Sequence, residues 1–218
     1  MQSKEIIRTM VQCDFDGTIT EKDISFLILD AFTNGDWRQM FKDYKGGKIT
    51  VGNFNKRAFE MVKEGEKELK EFVLEKYRVR EGFLELLEYC RQRDFRFVIV
   101  SNGLEFYIKA ILESMGIDNI DVFAARAVFN QSGLEASYMG PDGRELDEDF
   151  KKAYIISFLK NGYRIIYIGN GASDVASAKL ADHVFATDSM LTECQRANMR
   201  CTAFSSLRDI VRGLRLIN

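Results

Sequence analysis

The sequence predicts an α/β protein: a three-layer core around a mostly parallel sheet, with a small all-helical unit inserted after the first strand. Three observations carry this expectation. Short apolar runs at Met10–Cys13, Phe95–Val100 and Arg164–Ile168 each close on a polar turn, with helical patterns set between them. From Asp23 to about Tyr77 no strand signal interrupts a series of helical stripes. The order strand, helical insert, helix, strand, helix, hairpin, helix, strand, helix, strand, helix then fits a sheet with crossover connections. The expected division is a core over 1–20 and 79–218 and a helical cap over 21–78.

Composition narrows the function classes. The chain has 218 residues, enough for one good core and a smaller second unit. A formal net charge of −2 gives no electrostatic footprint for nucleic acid or an anionic membrane. No apolar stretch approaches the roughly 20 residues that span a bilayer. The opening MQSKEIIRTM lacks the apolar region of a signal peptide. Cys13, Cys90, Cys194 and Cys201 show no C-x-x-C spacing, so neither zinc nor a redox motif is expected. They read as reduced thiols of a cytoplasmic protein. There is one proline, Pro141, and no low-complexity linker or internal repeat.

In chain order, residues 6–14 read as a buried strand that stops at Asp14-Phe15-Asp16-Gly17-Thr18. Gly17 allows a backbone conformation that a β-carbon disfavours. Ligand sites in open α/β sheets lie outside the carboxyl ends of strands, so Asp-x-Asp here aims acids into a site. One carboxylate at such a place can attack phosphorus. The second can protonate the leaving oxygen and then deprotonate water, and a divalent cation would offset their repulsion by phosphate.

The insert follows, with stripes at Ile24, Leu27, Ile28 and Ala31, at Phe54, Ala58, Met61 and Val62, and at Leu69, Phe72 and Val73. Gly35 and Gly46-Gly47 divide it. Phe26, Phe32, Trp37, Phe41 and Tyr44 are aromatic candidates for a pocket wall or for the insert's own core. Glu81–Arg93 reads as a helix, and Phe95–Val100 as a strand ending at Ser101-Asn102-Gly103. A hydroxyl followed by glycine and a helix start suits an anion, or a plain helix cap. Leu104–Met115 is expected to be a helix stopped by Gly116. Val122–Phe129 and Leu134–Met139 read as a hairpin, and Asp147–Leu159 as a helix bearing Lys151 and Lys152. Arg164–Ile168 is a strand closing on Gly169-Asn170-Gly171-Ala172-Ser173-Asp174, without the later glycine of a dinucleotide fingerprint. A helix over 175–180, a strand at His183–Ala186 and helices over 188–197 and around Leu207–Leu214 complete the chain. Lone His183 reads as structural or exposed.

DFDGT resembles the first motif of the haloacid-dehalogenase (HAD) superfamily of phosphohydrolases. Ser101, the lysine pair and the Gly169–Asp174 turn fall where that superfamily carries its second, third and fourth motifs. The resemblance implies a Rossmann-like core and a cap that closes over the site and selects the substrate. It implies Asp14 as nucleophile and Asp16 as general acid/base, the second acid marking phosphatases and phosphomutases. It implies Ser101 and a lysine as phosphate ligands. Lys152, followed by Ile156 and Leu159, fits the lysine best, with Lys151 as the fallback. Mg²⁺ is the implied cofactor, held by Asp14, Asp16, Asn170 and Asp174. Asn170 stands where the fourth motif usually has its first acid, so weaker metal binding, reduced turnover or compensation by Asp174 is expected.

Within the superfamily the chain is similar to the phosphoserine-phosphatase-like branch, and DFDGTITEKD resembles the opening of its methionine-salvage phosphatases. Asp23 lies where phosphoserine phosphatases carry a substrate-binding glutamate, while their cap arginine has no clean counterpart, Arg57 being nearby. Thr18, Asp23, Asn102 and Gly103 are the further substrate-binding candidates. The leading expectation is a Mg²⁺-dependent phosphatase acting on a small phosphorylated metabolite through an aspartyl-phosphate. The alternatives are a catalytically weak or inactive phosphometabolite-binding or regulatory protein and a phosphomutase. No nucleic-acid or membrane partner is expected, and the protein is expected to be a monomer or homodimer.

Overall fold

A computed structural model describes residues 8–217. The first two residues of the expected strand 6–14, and most of the stretch read for a signal peptide, lie outside them. Among the described residues seven strands form one sheet: β1 (Arg8–Cys13), β2 (Arg96–Leu104), β3 (Asp121–Asn130), β4 (Gly133–Ser137), β5 (Tyr163–Gly169), β6 (His183–Ala186) and β7 (Thr202–Ala203). Their spatial order is β4-β3-β2-β1-β5-β6-β7. All pairs are parallel except β3–β4, the expected hairpin. The helices are α1 (Ile24–Phe32), α2 (Trp37–Lys45), α3 (Val51–Phe59), α4 (Glu66–Lys76), α5 (Phe83–Gln92), α6 (Glu105–Ser114), α7 (Phe150–Lys160), α8 (Val175–Ala178), α9 (Asp188–Arg196) and α10 (Leu207–Ile217). None is long and apolar enough to cross a membrane.

Burial explains the strand patterns. β1 lies at the centre of the sheet and is buried along all but its first residue, so it reads as a continuous run rather than an alternation. From β1 the chain builds outward through β2, β3 and β4 on one side and through β5, β6 and β7 on the other. The order therefore reverses beside β1, which is where α/β sheets open a crevice. Register brings the strand ends level. Cys13 pairs with Ile99 and with Ile168, and Asp14 N–H donates to the Ile168 carbonyl at 2.9 Å.

The helical insert is punctuated by caps. Asp23, Asp36 and Thr50 accept from the amides of Phe26, Gln39 and Asn53, each at 3.0 Å, and start α1, α2 and α3. The interior of the insert is aromatic. Phe26 lies 4.9 Å from Trp37 and 5.0 Å from Phe41, and Phe54 stacks on Tyr44 at 6.1 Å, between ring centroids. The chain leaves for the insert and returns from it side by side, through a Thr20–Val79 bridge and the bonds Glu21 N–H to Arg78 O (2.9 Å) and Arg80 N–H to Ile19 O (2.8 Å). The insert also meets the hairpin and the turn that follows it. Leu134 N–H donates to Val62 O at 3.0 Å, and Lys56 pairs with Glu145 and Asp147 at 2.7 and 2.8 Å.

Three expectations change, and one strand is new. β2 runs past Val100 to Leu104, with a register shift between those residues, so Ser101–Gly103 is a bulged strand end and α6 begins at Glu105. The helix expected from Asp147 starts at Phe150, after Asp149 at φ 55°. The helix over 175–180 shortens to α8 behind a 3₁₀ turn at Ala172–Asp174. β7 has only two residues, too short for any periodic signal. His183 is structural: its Nε2 lies 3.0 Å from Thr202 Oγ1 and its ring packs 4.8 Å from Phe185.

The start of α10 carries a testable cap. Asp209 accepts from Ser206 N–H at 2.9 Å and from Ser205 N–H and Oγ at 3.1 and 3.0 Å. These bonds, Ser206's first, pull its carboxyl down to about 2 from 3.8. A depressed carboxylate contributes stability above its unfolded pKa, lost as pH falls through the folded one. Asp209→Ala is expected to cost about 1 kcal/mol at pH 7. Urea melts over descending pH are expected to show the difference narrowing only below about pH 4.

Candidate active site

The carboxyl ends of β1, β2 and β5 open into a cleft of about 350 Å³. Asp14, one residue beyond β1, forms its floor and is 5% exposed. Lys151, from the first turn of α7, lies 2.7 Å from Asp14 Oδ1 and 2.6 Å from Asp174 Oδ1. Gln12 helps to seat that turn by donating to the Lys151 carbonyl at 3.1 Å. Burial raises the Asp14 carboxyl to about 7 against the pull of Lys151, and Asp174 adds to the rise. Burial alone would lower Lys151, but the charges of Asp14 and Asp174 outweigh it and hold the ammonium protonated.

Asp16 is gripped from two sides. Its Oδ1 accepts from Ile24 N–H at 2.9 Å; its Oδ2 accepts from Tyr107 OH at 2.6 Å and from Ser101 Oγ at 3.5 Å. Tyr107 in turn lies 2.8 Å from Ser25 Oγ. Burial raises Asp16 and these bonds oppose it. Two glycines are required by close approach. Gly17 has φ +71°, and a β-carbon there would sit 2.2 Å from Asn170 Nδ2. A β-carbon at Gly103 would fall 2.2 Å from Asp16 Oδ2.

The structure gathers Asp14, Asp16, Asp23, Ser101, Asn102, Gly103, Lys151 and Asn170 around the cleft. Three expected placements are corrected. Lys152 lies outside it, 38% exposed and paired with Asp149 at 3.1 Å; one helical residue is a turn of about 100°, which sends the two lysines to different faces. Thr18 is fully buried away from the cleft. The amides of Thr18, Ile19 and Thr20 all converge on Phe15 O, and this tight turn carries Thr18 inward. Asp174 is fully buried and does not line the cleft. Its Oδ1 accepts from Lys151 and from Tyr167 OH (2.6 and 2.8 Å), and its Oδ2 from the Asn170 and Gly171 amides (3.1 and 2.8 Å). Four donors fill a carboxylate's lone pairs, so Asp174 braces the lysine and the turn.

Sequence reasoning missed several contributors. Tyr107 and Tyr167 are buried tyrosines from α6 and β5 with no local signature. Arg80 clamps the acid turn, donating to the carbonyls of Gly17 and Thr18 at 2.7 and 3.0 Å. Phe54 joins Phe26, Phe41 and Tyr44 on the apolar wall, whereas Trp37 is interior and Phe32 faces a separate surface hollow. For Lys151 a signal existed: Tyr154, Ile155 and Phe158 follow at three, four and seven residues, a helical stripe as good as the one behind Lys152.

The residues fit a hard divalent cation by donor chemistry. Asp14 and Asp16 offer carboxylate oxygens and Asn170 a side-chain amide oxygen, and the cleft's acids outnumber its one buried cation, Lys151. No group of three or more His, Cys, Asp or Glu in metal-holding geometry occurs among the described residues, in keeping with an amide at position 170.

Known proteins resemble this chain in sequence and in fold. The profile of the haloacid dehalogenase-like hydrolases matches residues 11–179. A 2-hydroxy-3-keto-5-methylthiopentenyl-1-phosphate phosphatase of Bacillus pumilus (strain SAFR-032) is 28% identical over 207 residues, covering 93% of this chain and 89% of that protein. One of the same name from Geobacillus thermodenitrificans (strain NG80-2) is 29% identical, covering 91% and 92%. A phosphoserine phosphatase solved as a phospho-aspartyl intermediate analogue has the same fold, with a TM-score of 0.70 at 19% identity, covering 94% of this chain and 98% of that one. The chain belongs to the haloacid dehalogenase-like hydrolase family.

Proposed function

We propose that the protein is a Mg²⁺-dependent phosphatase that cleaves a small phosphorylated metabolite through an aspartyl-phosphate. The observation that carries this reading is the buried Asp14–Lys151 contact at the end of β1, with Asp16 two residues on. Asp14 Oδ attacks phosphorus; the P–O bond to the alcohol breaks, and Asp16 gives that oxygen its proton. Water then attacks the aspartyl-phosphate, Asp16 takes its proton, and orthophosphate leaves with Asp14 restored. Lys151 and Ser101 hold the phosphoryl oxygens, and Tyr107 and Ile24 N–H hold Asp16 in reach. Asp14, Asp16 and Asn170 would hold Mg²⁺, which when bound supplies charge that offsets repulsion between carboxylate and phosphate.

Residues 21–78 act in this reading as a cap domain over a core of 1–20 and 79–218, and Phe26, Phe41, Tyr44 and Phe54 form the wall against the substrate's non-phosphate part. The named relatives support a substrate like 2-hydroxy-3-keto-5-methylthiopentenyl-1-phosphate. The apolar wall of Phe26, Phe41, Tyr44 and Phe54 suits the tail of such a substrate. We place the activity in the cytoplasm, in a monomer or homodimer. The test is phosphate release from a panel of small monoesters, this compound included, with Mg²⁺ or with EDTA. Release that stops in EDTA supports the reading, and release undiminished by EDTA counts against it. Asn170→Asp adds a charged ligand and is expected to lower the Mg²⁺ concentration giving half-maximal release.

A further inference from the structure

The turn that presents Ser101 is held by a helix of the insert. Asn55, in α3, lines the cleft, is 6% exposed and is buried among Phe54, Ala58 and Phe59. A buried amide is costly unless its donors are used. Asn55 Nδ2 donates to the Asn102 carbonyl at 2.9 Å and to Tyr138 OH at 2.6 Å. Tyr138, buried just beyond β4, donates its own hydroxyl to the same Asn102 carbonyl at 2.6 Å. The reversed amide would set Oδ1 against that carbonyl, so the partner decides the orientation. Three parts of the chain, α3, the end of the hairpin and the end of β2, thus converge on one oxygen.

That oxygen lies in the register gap between Val100 and Leu104. The two side-chain donors stand in for the ladder there. The consequence passes through a rigid unit. The Asn102 carbonyl and the Gly103 N–H belong to one planar peptide. Fixing the first fixes the second, and the Gly103 N–H donates to Ser101 Oγ at 3.0 Å. The Ser101 hydroxyl then faces Asp16 across 3.5 Å. We propose that Asn55 is a positioning residue on the cap: by gripping the Asn102 carbonyl it couples the seating of the helical insert to the aim of the Ser101 hydroxyl at the phosphoryl group. This rests on the reading of Ser101 as a phosphate ligand. It makes the aim of the Ser101 hydroxyl depend on the contact between α3 and the Asn102 carbonyl.

The test uses Asn55→Ala, Asn55→Asp and Tyr138→Phe in the full chain, with orthophosphate as the probe. Two readouts are taken: orthophosphate affinity, and hydrogen exchange of the Gly103 amide. Asn55→Ala is expected to weaken orthophosphate about five- to ten-fold and to speed Gly103 exchange, as loss of its buried hydrogen bond to the Asn102 carbonyl predicts. Asn55→Asp is expected to do more, since it turns a carboxylate on the carbonyl. Tyr138→Phe is expected to shift both readouts in the same direction by less. Because both side chains act through one oxygen, the Asn55→Ala/Tyr138→Phe double variant is expected to fall short of the summed effects. A folded Asn55→Ala with wild-type exchange and wild-type orthophosphate affinity overturns the proposal. If Asn55→Ala does not fold, an unchanged Tyr138→Phe does so. A wild type that does not bind orthophosphate counts against the phosphatase reading instead, and Gly103 exchange in the variants then decides the coupling alone.

Discussion

Asp14→Asn is expected to abolish turnover, by about four orders of magnitude or more, while leaving the protein folded. The amide is isosteric but cannot attack phosphorus. Its shape still fills the end of β1, and Lys151 keeps Asp174 at 2.6 Å as a counter-charge. Stability is expected to rise. Burial holds the Asp14 carboxyl at about 7 against 3.8 in the unfolded chain. A carboxyl raised in the folded state favours folding below the unfolded pKa, and that contribution is lost as pH rises through the folded pKa. The variant has no such loss. In EDTA, its melting temperature is therefore expected to pull ahead of wild type between about pH 4 and about pH 7 and stay ahead above. Substantial turnover in Asp14→Asn would remove Asp14 as nucleophile. A lower melting temperature at pH 8 would mean that the ion pair outweighs the burial of the charge.

The second large effect separates the two adjacent lysines. Lys151→Met keeps length and apolar stem but removes the cation between Asp14 and Asp174. Breaking a buried pair from one side leaves charge uncompensated and typically costs about 3–5 kcal/mol. Activity is expected to fall about 10²–10³-fold or more, because a fixed charge at the reacting phosphate is lost. Lys152→Met removes an exposed pairing with Asp149. It is expected to stay within about 0.5 kcal/mol of wild type and to keep its activity. The readouts are urea melts and initial rates on both proteins side by side. Equal losses in the two variants, or a larger loss in Lys152→Met, would overturn the assignment of the phosphate-binding lysine to Lys151.

The acid pair and its surroundings were legible in the sequence because their signals are local. A buried run that stops at Asp-x-Asp-Gly needs only neighbours along the chain to be read, and the structure has it as expected: Gly17 at positive φ and Asp14 at the cleft floor. The βα alternation and the strand-free stretch from Asp23 to Tyr77 are likewise local, and they fix which elements form and roughly where they begin. The hairpin at Asn130–Gly133 belongs with them.

Tertiary structure decided what depends on partners far along the chain. Lys151 and Lys152 are one residue apart, each with an acceptable helical stripe behind it. The structure buries Lys151 against the carboxylates of Asp14 and Asp174, which lie in other elements, and leaves Lys152 exposed. Asp174 has the type and spacing of a metal ligand, yet four donors from Lys151, Tyr167 and the turn amides occupy it. Tyr107, Asn55 and Tyr138 carry no motif at all. They matter because folding brings α6, α3 and the end of the hairpin onto Asp16 and the Asn102 carbonyl. The sequence by itself determined the sheet, the insert and the paired acids, since strand and helix periods and turn residues act over a few positions. Which charges are buried together, and which hydrogen bonds aim them, was decided only in three dimensions, because desolvation and pairing depend on every group that surrounds a site.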